Sequence, residues 1–321
     1  MKLKKIFLIL TALVAFSSTL TAVSDYEYLL GKYKPLKERL DAEKEEKRRI
    51  AEEEREAIKR EEKEKKRLAE EERIVAEKRA ELIKNAEHIK SIDAYFIKIP
   101  NQNYSMMMTE ITQKQWQIIM GNNPSRFKGD NLPVEEVSWT DAVVFCNKLS
   151  EKEGLKPCYS YDGASSVKKW KFLKEDLRHW PDKKWIKFNG SLVCDSNANG
   201  YRLPTVEEWQ YAAKGGQDYK YSGSDNLDEV GWYGGNSGGK IHPVAQKKPN
   251  GYGLYDMSGN VWEWCWDRID RFDPSLSSKR CSCGGSWIDG AGYCEVYGKD
   301  WSNADYTDNI FGFRIVRSTG K

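Results

Sequence analysis

Seven cysteines, at positions 146, 158, 194, 265, 281, 283 and 294, have the widest chemical scope in this 321-residue chain. Thiolates bind soft metals and carry redox chemistry, and both uses need at least two of them brought together. The spacing supplies little. No C-x-x-C pair occurs, and Cys281-Ser282-Cys283 alone is weak evidence for a metal. Disulfide or buried free thiol is the favoured reading of each, and an odd count leaves at least one unpaired within a monomer. The three histidines, His88, His179 and His242, are dispersed with no pair at ligand spacing. Gly234 to Lys240 spells G-x-x-x-x-G-K, but Ile241 stands where phosphate binding requires Ser or Thr, and no helix is expected to follow. Phosphate chemistry is rejected.

The elements that must position any such groups follow from composition. Lys and Arg number 52 against 49 Asp and Glu, a net charge of +3, so no global field favours nucleic acid or a membrane surface. With 39% hydrophobic and 31% charged residues, the chain reads as an apolar domain joined to a charged appendage. Three lysines within Met1 to Lys5, the apolar run Ile6 to Phe16 and the small-residue exit Ala22-Val23-Ser24 predict a secretory signal peptide over 1–22. The run is too short for a membrane anchor, which needs about 20 apolar residues. Export to the periplasm or cell surface is expected, with a linker over 23–35.

Leu36 to Lys90 holds 18 basic and 18 acidic residues and neither Gly nor Pro. Acid-first pairs four apart (Glu43 to Lys47, Glu45 to Arg49, Glu56 to Arg60, Glu61 to Lys65, Glu62 to Lys66) each support a solvated helix by about 0.2–0.5 kcal/mol. Apolar residues are too sparse between Glu43 and Arg67 for a coiled-coil seam. A helical spacer over 36–90 is expected, with weak self-association near its C-terminal end; partial disorder is the alternative. After residue 90 the composition changes. Eleven of twelve tryptophans lie between Trp139 and Trp301. Helices are predicted over Thr109 to Met120, Thr140 to Glu153 and Thr205 to Lys214, the last with Thr205 and Glu208 as a capping box. Short strands in long glycine-rich loops make up the rest of an α+β domain over 91–321.

Four blocks in order, "TEITQKQWQIIMGNNPSRFKGDNLPVEEVSWTDAVVFCNKLS" (109–150), "GYRLPTVEEWQYAAKGG" (200–216), "PNGYGLYDMSGNVWEWCWD" (249–267) and "CGGSW…FGFRIVRS" (283–318), resemble the formylglycine-generating enzyme, or sulfatase-modifying factor, family. The resemblance covers about residues 95–318. It implies a variant of the C-type-lectin fold with little regular secondary structure, and structural roles for Trp139, Trp209, Trp262 and Trp264. It also implies a calcium site at Asp256, Gly259, Val261 and Glu263, against which stands a metal-free hydrogen-bonded turn; a second position near Asn236 is weaker. Active members of the family carry two cysteines after Gly-Gly-Ser-Trp, which bind copper and activate oxygen to oxidise a sulfatase cysteine. Here Asp289 follows Gly284-Gly285-Ser286-Trp287-Ile288 in the first of those places, while Cys294 matches the second. A carboxylate is neither a soft ligand nor a redox group, so no copper and no oxidase activity are expected. Cys283 also stands where the family usually has an arginine.

Between Trp287 and Phe311, residues of scaffold type (Ala291, Cys294, Val296, Trp301, Ala304) alternate with Ile288, Asp289, Gly290, Gly292, Tyr293, Tyr297, Gly298, Asp300, Ser302, Asn303, Asp305, Tyr306, Asp308 and Ile310. Those intervening types, apart from Lys299, are ones reached by replacing adenines in an AAC codon. This segment is similar to the diversified region of the variable proteins of diversity-generating retroelements, the treponemal ones especially. That resemblance implies a noncatalytic binder that displays residues 288–310 to a ligand, a protein being the expected partner. Tyr, Ser, Gly, Asn and Asp are the side chains of adaptable binding surfaces. The alternatives are an ordinary polar loop and, from a different class, a formylglycine-generating oxidase.

Overall fold

The computed structural model describes residues 20–170, 192–268 and 279–319. Most of the expected signal peptide and His179 lie outside these residues. Helix α1 spans Leu20–Asn85 and runs through Pro35, so residues 23–35, expected as a linker, are helical. One missing backbone donor at Pro35 is outweighed by the long run of strong helix formers after it. Of the expected ion pairs, Glu56–Arg60 (3.5 Å) and Glu61–Lys65 (2.8 Å) form. Arg49 pairs with Glu46 and Glu53, and Glu45 with Arg48. All are solvated. Leu36, Ile50, Ile58, Leu68 and Ile74 are exposed, as their sparse spacing predicts.

The chain divides into two units, Met1–Ile74 and Val75–Lys321. The second begins inside α1, whose Leu82 and Ile83 pack against the globular core. The helix stops at Asn85, and Glu87–Ile89 (β1) is already strand, so the spacer ends short of residue 90.

β1 starts an antiparallel sheet with β2 (Ala94–Lys98) and β3 (Tyr104–Met107). Helices α2 (Gln113–Met120) and α3 (Trp139–Lys152) follow, then a hairpin of β4 (Tyr159–Tyr161) and β5 (Leu192–Cys194). Strand β6 (Tyr201–Arg202) leads into α4 (Val206–Lys214) and the single turn α5 (Leu227–Val230). The C-terminal part supplies β7 (Trp262–Arg268), β8 (Lys279–Cys283), β9 (Lys299–Asn303), β10 (Phe311–Gly312) and β11 (Val316–Ser318). One sheet has the order β1-β2-β3-β11-β6; the other is β10-β7-β8-β9, with only β10–β7 parallel. The last strand thus sits inside the sheet that the first strands begin.

Three capping boxes start the longer helices of this unit: Thr112 with Gln115, Ser138 with Asp141, and Thr205 with Glu208. The first falls three residues after the predicted start, because Thr109 to Ile111 turn inward and carry Glu110 into the core. Trp139, Trp209, Trp262 and Trp264 are all buried. Three of them donate their indole N–H to named acceptors: Cys265 O at 2.8 Å, Glu263 Oε2 at 2.7 Å and Val137 O at 3.0 Å, respectively from Trp139, Trp209 and Trp264. A ring cluster of Trp116, Phe145 and Phe313 fills the space between α2, α3 and the C-terminal segment.

Candidate functional site

The segment 288–310 hangs on a few buried anchors. Trp287 is buried; its backbone N–H donates to Asn260 O (2.9 Å) and its indole N–H to Asn309 O (3.1 Å). One side chain therefore fastens both ends of the segment. Cys294, Val296, Ala304 and Asn309 are buried between those ends. Val296 N–H donates to Lys220 O, and Ala304 O accepts from both the backbone and the hydroxyl of Thr140. A 3-10 turn over Ala291–Cys294 and strand β9 give the segment its only regular structure.

Every candidate binding residue is exposed or half-buried: Ile288, Asp289, Gly290, Gly292, Tyr293, Tyr297, Gly298, Asp300, Ser302, Asn303, Asp305, Tyr306 and Asp308. Of the expected scaffold set, Cys294, Val296 and Ala304 are buried and Ala291 is half-buried. Trp301 is 42% exposed and belongs to the displayed set. Its edge position explains this: β9 is paired on one side only, with β8, so Trp301 lies at the rim of the sheet although its cross-strand neighbour Cys281 is buried. Five of the eight exposed large apolar side chains described beyond Val75 (Ile288, Tyr293, Tyr297, Trp301 and Tyr306, against Ile118, Val193 and Tyr219) fall in this one segment. Such residues are commonly scattered singly over a domain surface, whereas here they are concentrated in one segment.

The glycines separate into two kinds. A Cβ on Gly290 or Gly292 meets nothing within 4 Å, so both positions accept any side chain. A Cβ on Gly298 would lie 2.2 Å from the backbone O of Tyr293. Gly298 is thus a packing requirement and not an open display position, a distinction that residue type alone does not reveal.

Asp289 is folded back on the turn it ends. Its side chain accepts from the Ser286 hydroxyl, and its backbone N–H donates to Ser286 O at 3.1 Å. Gly234 N–H donates to Asp289 O (2.9 Å) and Ser237 Oγ to Trp287 O (2.7 Å), so the loop 233–239 braces the start of the segment. Its only local signal is the run of glycines between Gly234 and Lys240. Cys294 is fully buried beside Tyr221, Leu227 and Val230. Burial and the nearby Asp289 carboxylate push its thiol up to about 12, which keeps it protonated at neutral pH. Buried cysteines also lie at the β7–β8 pair, where the Cys265 and Cys283 sulfurs are 3.9 Å apart.

The expected calcium ligands lie in a buried ionic cluster. Arg314, fully buried, donates Nε and Nη2 to the two oxygens of Glu263, each at 2.7 Å, and Trp209 shares Oε2. Asp256, at φ +57°, accepts from Ala245 N–H through Oδ2, while its buried Oδ1 has no partner. Burial pushes its carboxyl up to about 6 and drives that of neighbouring Glu110 upward as well. Asp256 Oδ1 fits a hard cation, but Glu263 is committed to Arg314, so these residues do not form the four-donor cage that the resemblance implies. Asn236 is likewise occupied, donating to Asp228 Oδ1 and Gly231 O and accepting from Tyr233 N–H. Among the described residues no group of three or more His, Cys, Asp or Glu is placed to hold a metal, and no helix is long and apolar enough to cross a membrane.

Comparison with known proteins agrees with this architecture. Residues 61–319 match the sulfatase-modifying factor enzyme 1-like domain. Chaperone protein LppX of Paenibacillus barcinonensis is 41% identical over 229 residues, 65% of this chain and 78% of that protein. The formylglycine-generating enzyme of Streptomyces coelicolor is 33% identical over 146 residues, covering 36% of this chain and less than half (46%) of the enzyme. Among solved structures, Treponema denticola variable protein 1 superposes with a TM-score of 0.62 at 35% identity, over 73% of this chain and 98% of the other.

Proposed function

Starting from the membership of this chain in the sulfatase-modifying factor family, we propose that it is an exported, noncatalytic binding protein that presents residues 288–310 to a ligand. The observation that carries this reading is the concentration of exposed aromatic and small polar side chains on a segment pinned by Trp287, Cys294, Val296, Ala304 and Asn309. Rigid anchors with freely varying intervening positions allow a binding surface to change while the fold persists. The superposition on a variable protein supports the same reading. A 41% identical relative named as a chaperone supports a polypeptide ligand.

Family chemistry would need a reactive thiol pair. At the two corresponding positions stand the Asp289 carboxylate, held by the Ser286 hydroxyl, and the Cys294 thiol, buried and protonated. Neither supplies a thiolate at neutral pH. Export rests on the basic, apolar and small-residue order of 1–22.

Two measurements test the proposal. Purified chain is supplied with copper, oxygen and a cysteine-containing sulfatase peptide; no aldehyde product is expected, and turnover would overturn the noncatalytic reading. Binding is then screened on an array of extracellular proteins with the natural chain and with a Tyr293→Ser/Tyr297→Ser/Trp301→Ser variant of unchanged thermal stability. A ligand lost by the variant supports the displayed face, whereas ligands bound equally by both place binding elsewhere.

A further inference from the structure

The charge on the displayed face names the chemistry of its partner. Residues 288–310 hold Asp289, Glu295, Asp300, Asp305 and Asp308 against one cation, Lys299, a formal charge of −4 in a chain whose net charge is +3. Three of these carboxylates are oriented by neutral donors: Asp289 by the Ser286 hydroxyl, Asp300 by Trp301 N–H (2.8 Å), and Asp308 by the Tyr306 hydroxyl (2.8 Å) and Asn309 N–H (2.6 Å). A neutral donor fixes direction without cancelling charge. Flanking cations engage both the first half of the segment and its last residues. Lys220 pairs with Glu295 at 3.2 Å, and Lys214 lies over the Tyr297 ring at 5.1 Å. Arg126 lies beside the side-chain amide of Asn309, at 2.9 Å. Asp300, Trp301, Tyr306 and Asp308 follow one another along β9 and the turn after it, with Arg126 beside Asn309 at the far end.

We infer that this face takes a lysine- and arginine-rich polypeptide surface, an inference that rests on the ligand-binding reading above. Carboxylates held in place receive guanidinium and ammonium groups through charge-assisted hydrogen bonds. Exposed Tyr and Trp rings accept the same cations on their faces, and their area replaces water around the pairs. An apolar partner would bury several carboxylates without counter-ions, which is strongly unfavourable. Acidic proteins, nucleic acid and anionic membranes share the sign of the face and are repelled.

The test uses the full chain and three pools of synthetic peptides with equal aromatic content, basic, neutral and acidic, measured by biolayer interferometry. The basic pool is expected to bind at least about tenfold tighter than the others and to weaken about tenfold between low and moderate salt. Asp300→Asn/Asp308→Asn removes both charges while keeping one acceptor oxygen at each position, and is expected to weaken the basic pool about fivefold or more. Glu52→Gln/Glu54→Gln removes the same charge from α1 and is expected to leave binding unchanged. Equal weakening by both double variants would mean bulk charge and overturns the inference. A neutral or acidic preference abolished by Tyr293→Ala/Trp301→Ala also overturns it, while leaving the binding face itself intact. Failure of every pool to bind overturns it too, and the protein-array screen then decides the broader reading independently.

Discussion

Arg314→Met is the sharpest probe of how the domain holds together. The guanidinium spans both oxygens of Glu263 and donates to the carbonyls of Tyr255 (2.7 Å), Met107 and Met108 (3.3 Å each), with no solvent exposure. Glu110 and Asp256 stand near the same cation, with Arg79 a smaller influence on Asp256, so three carboxylates depend mainly on one positive charge. Methionine fills similar volume and removes the charge, leaving buried acids unpaired at a penalty of about 3–5 kcal/mol. For a domain of this size that is a fall in Tm of about 6–20 °C. The sign of the pH dependence follows from the raised carboxyls. A folded pKa near 6 for Asp256, against 3.8 ordinarily, means that ionising it opposes folding, and that stability is lost as pH rises through this window. Removing Arg314 strengthens the effect, so the deficit is largest above about pH 6 and shrinks near pH 5. Urea unfolding followed by tryptophan fluorescence at the two pH values reads both quantities. A deficit below about 1 kcal/mol at both would refute the ion-cluster argument. Calcium supplies a second arm: the natural chain is expected to gain less than about 1 °C at millimolar Ca2+, and a rise of several degrees would show that the carboxylates accept the ion despite Arg314.

Other outcomes follow from the same geometry. Glu135, buried with Oε1 accepting from Phe127 N–H (2.7 Å) and Oε2 unpartnered, has its carboxyl pushed up to about 7, mainly by burial. Its ionisation lowers stability as pH rises from about 4.5 to 7, so Glu135→Gln is expected to flatten that decline by about 2–3 kcal/mol in urea titrations; an unchanged pH profile would contradict the assignment. Gly298→Ala is expected to lower Tm while Gly290→Ala leaves it unchanged, since only the first Cβ collides with backbone; equal Tm values for both would disprove the packing requirement. Asp289→Cys restores a sulfur at the family position beside a Cys294 that remains buried and protonated, so aldehyde formation is expected to stay absent in a mass-spectrometric assay.

The fold class and the exposure of residues 288–308 are legible because their signals are local. Helix α4 appears where Thr205 and Glu208 announce it, and the exposed positions of 288–308 follow from residue types unsuited to a core. Signals that depend on distant partners were not legible. The start of α2 moved to Thr112 because Glu110 is drawn into a cluster with residues 150 positions away. Trp301 resembles an anchor by type, yet its place on the edge strand leaves it at the rim of the sheet. Gly298 resembles its open neighbours, yet the carbonyl of Tyr293 occupies the space a side chain would need. The commitment of Glu263 to Arg314 joins residues from different blocks, and no block alone reveals it.

The position of β11 has a consequence for any change made upstream of it. Val316–Ser318 completes the sheet between β3 and β6, and Arg314 just before it neutralises the buried acids. Both are translated after residues 288–310. A shifted reading frame or early stop within that stretch would remove the closing strand and the interior cation together, and the product would not fold. A substitution confined to residues 288–310 leaves both in place, so a folded product reports that the chain has been read through to its last strand.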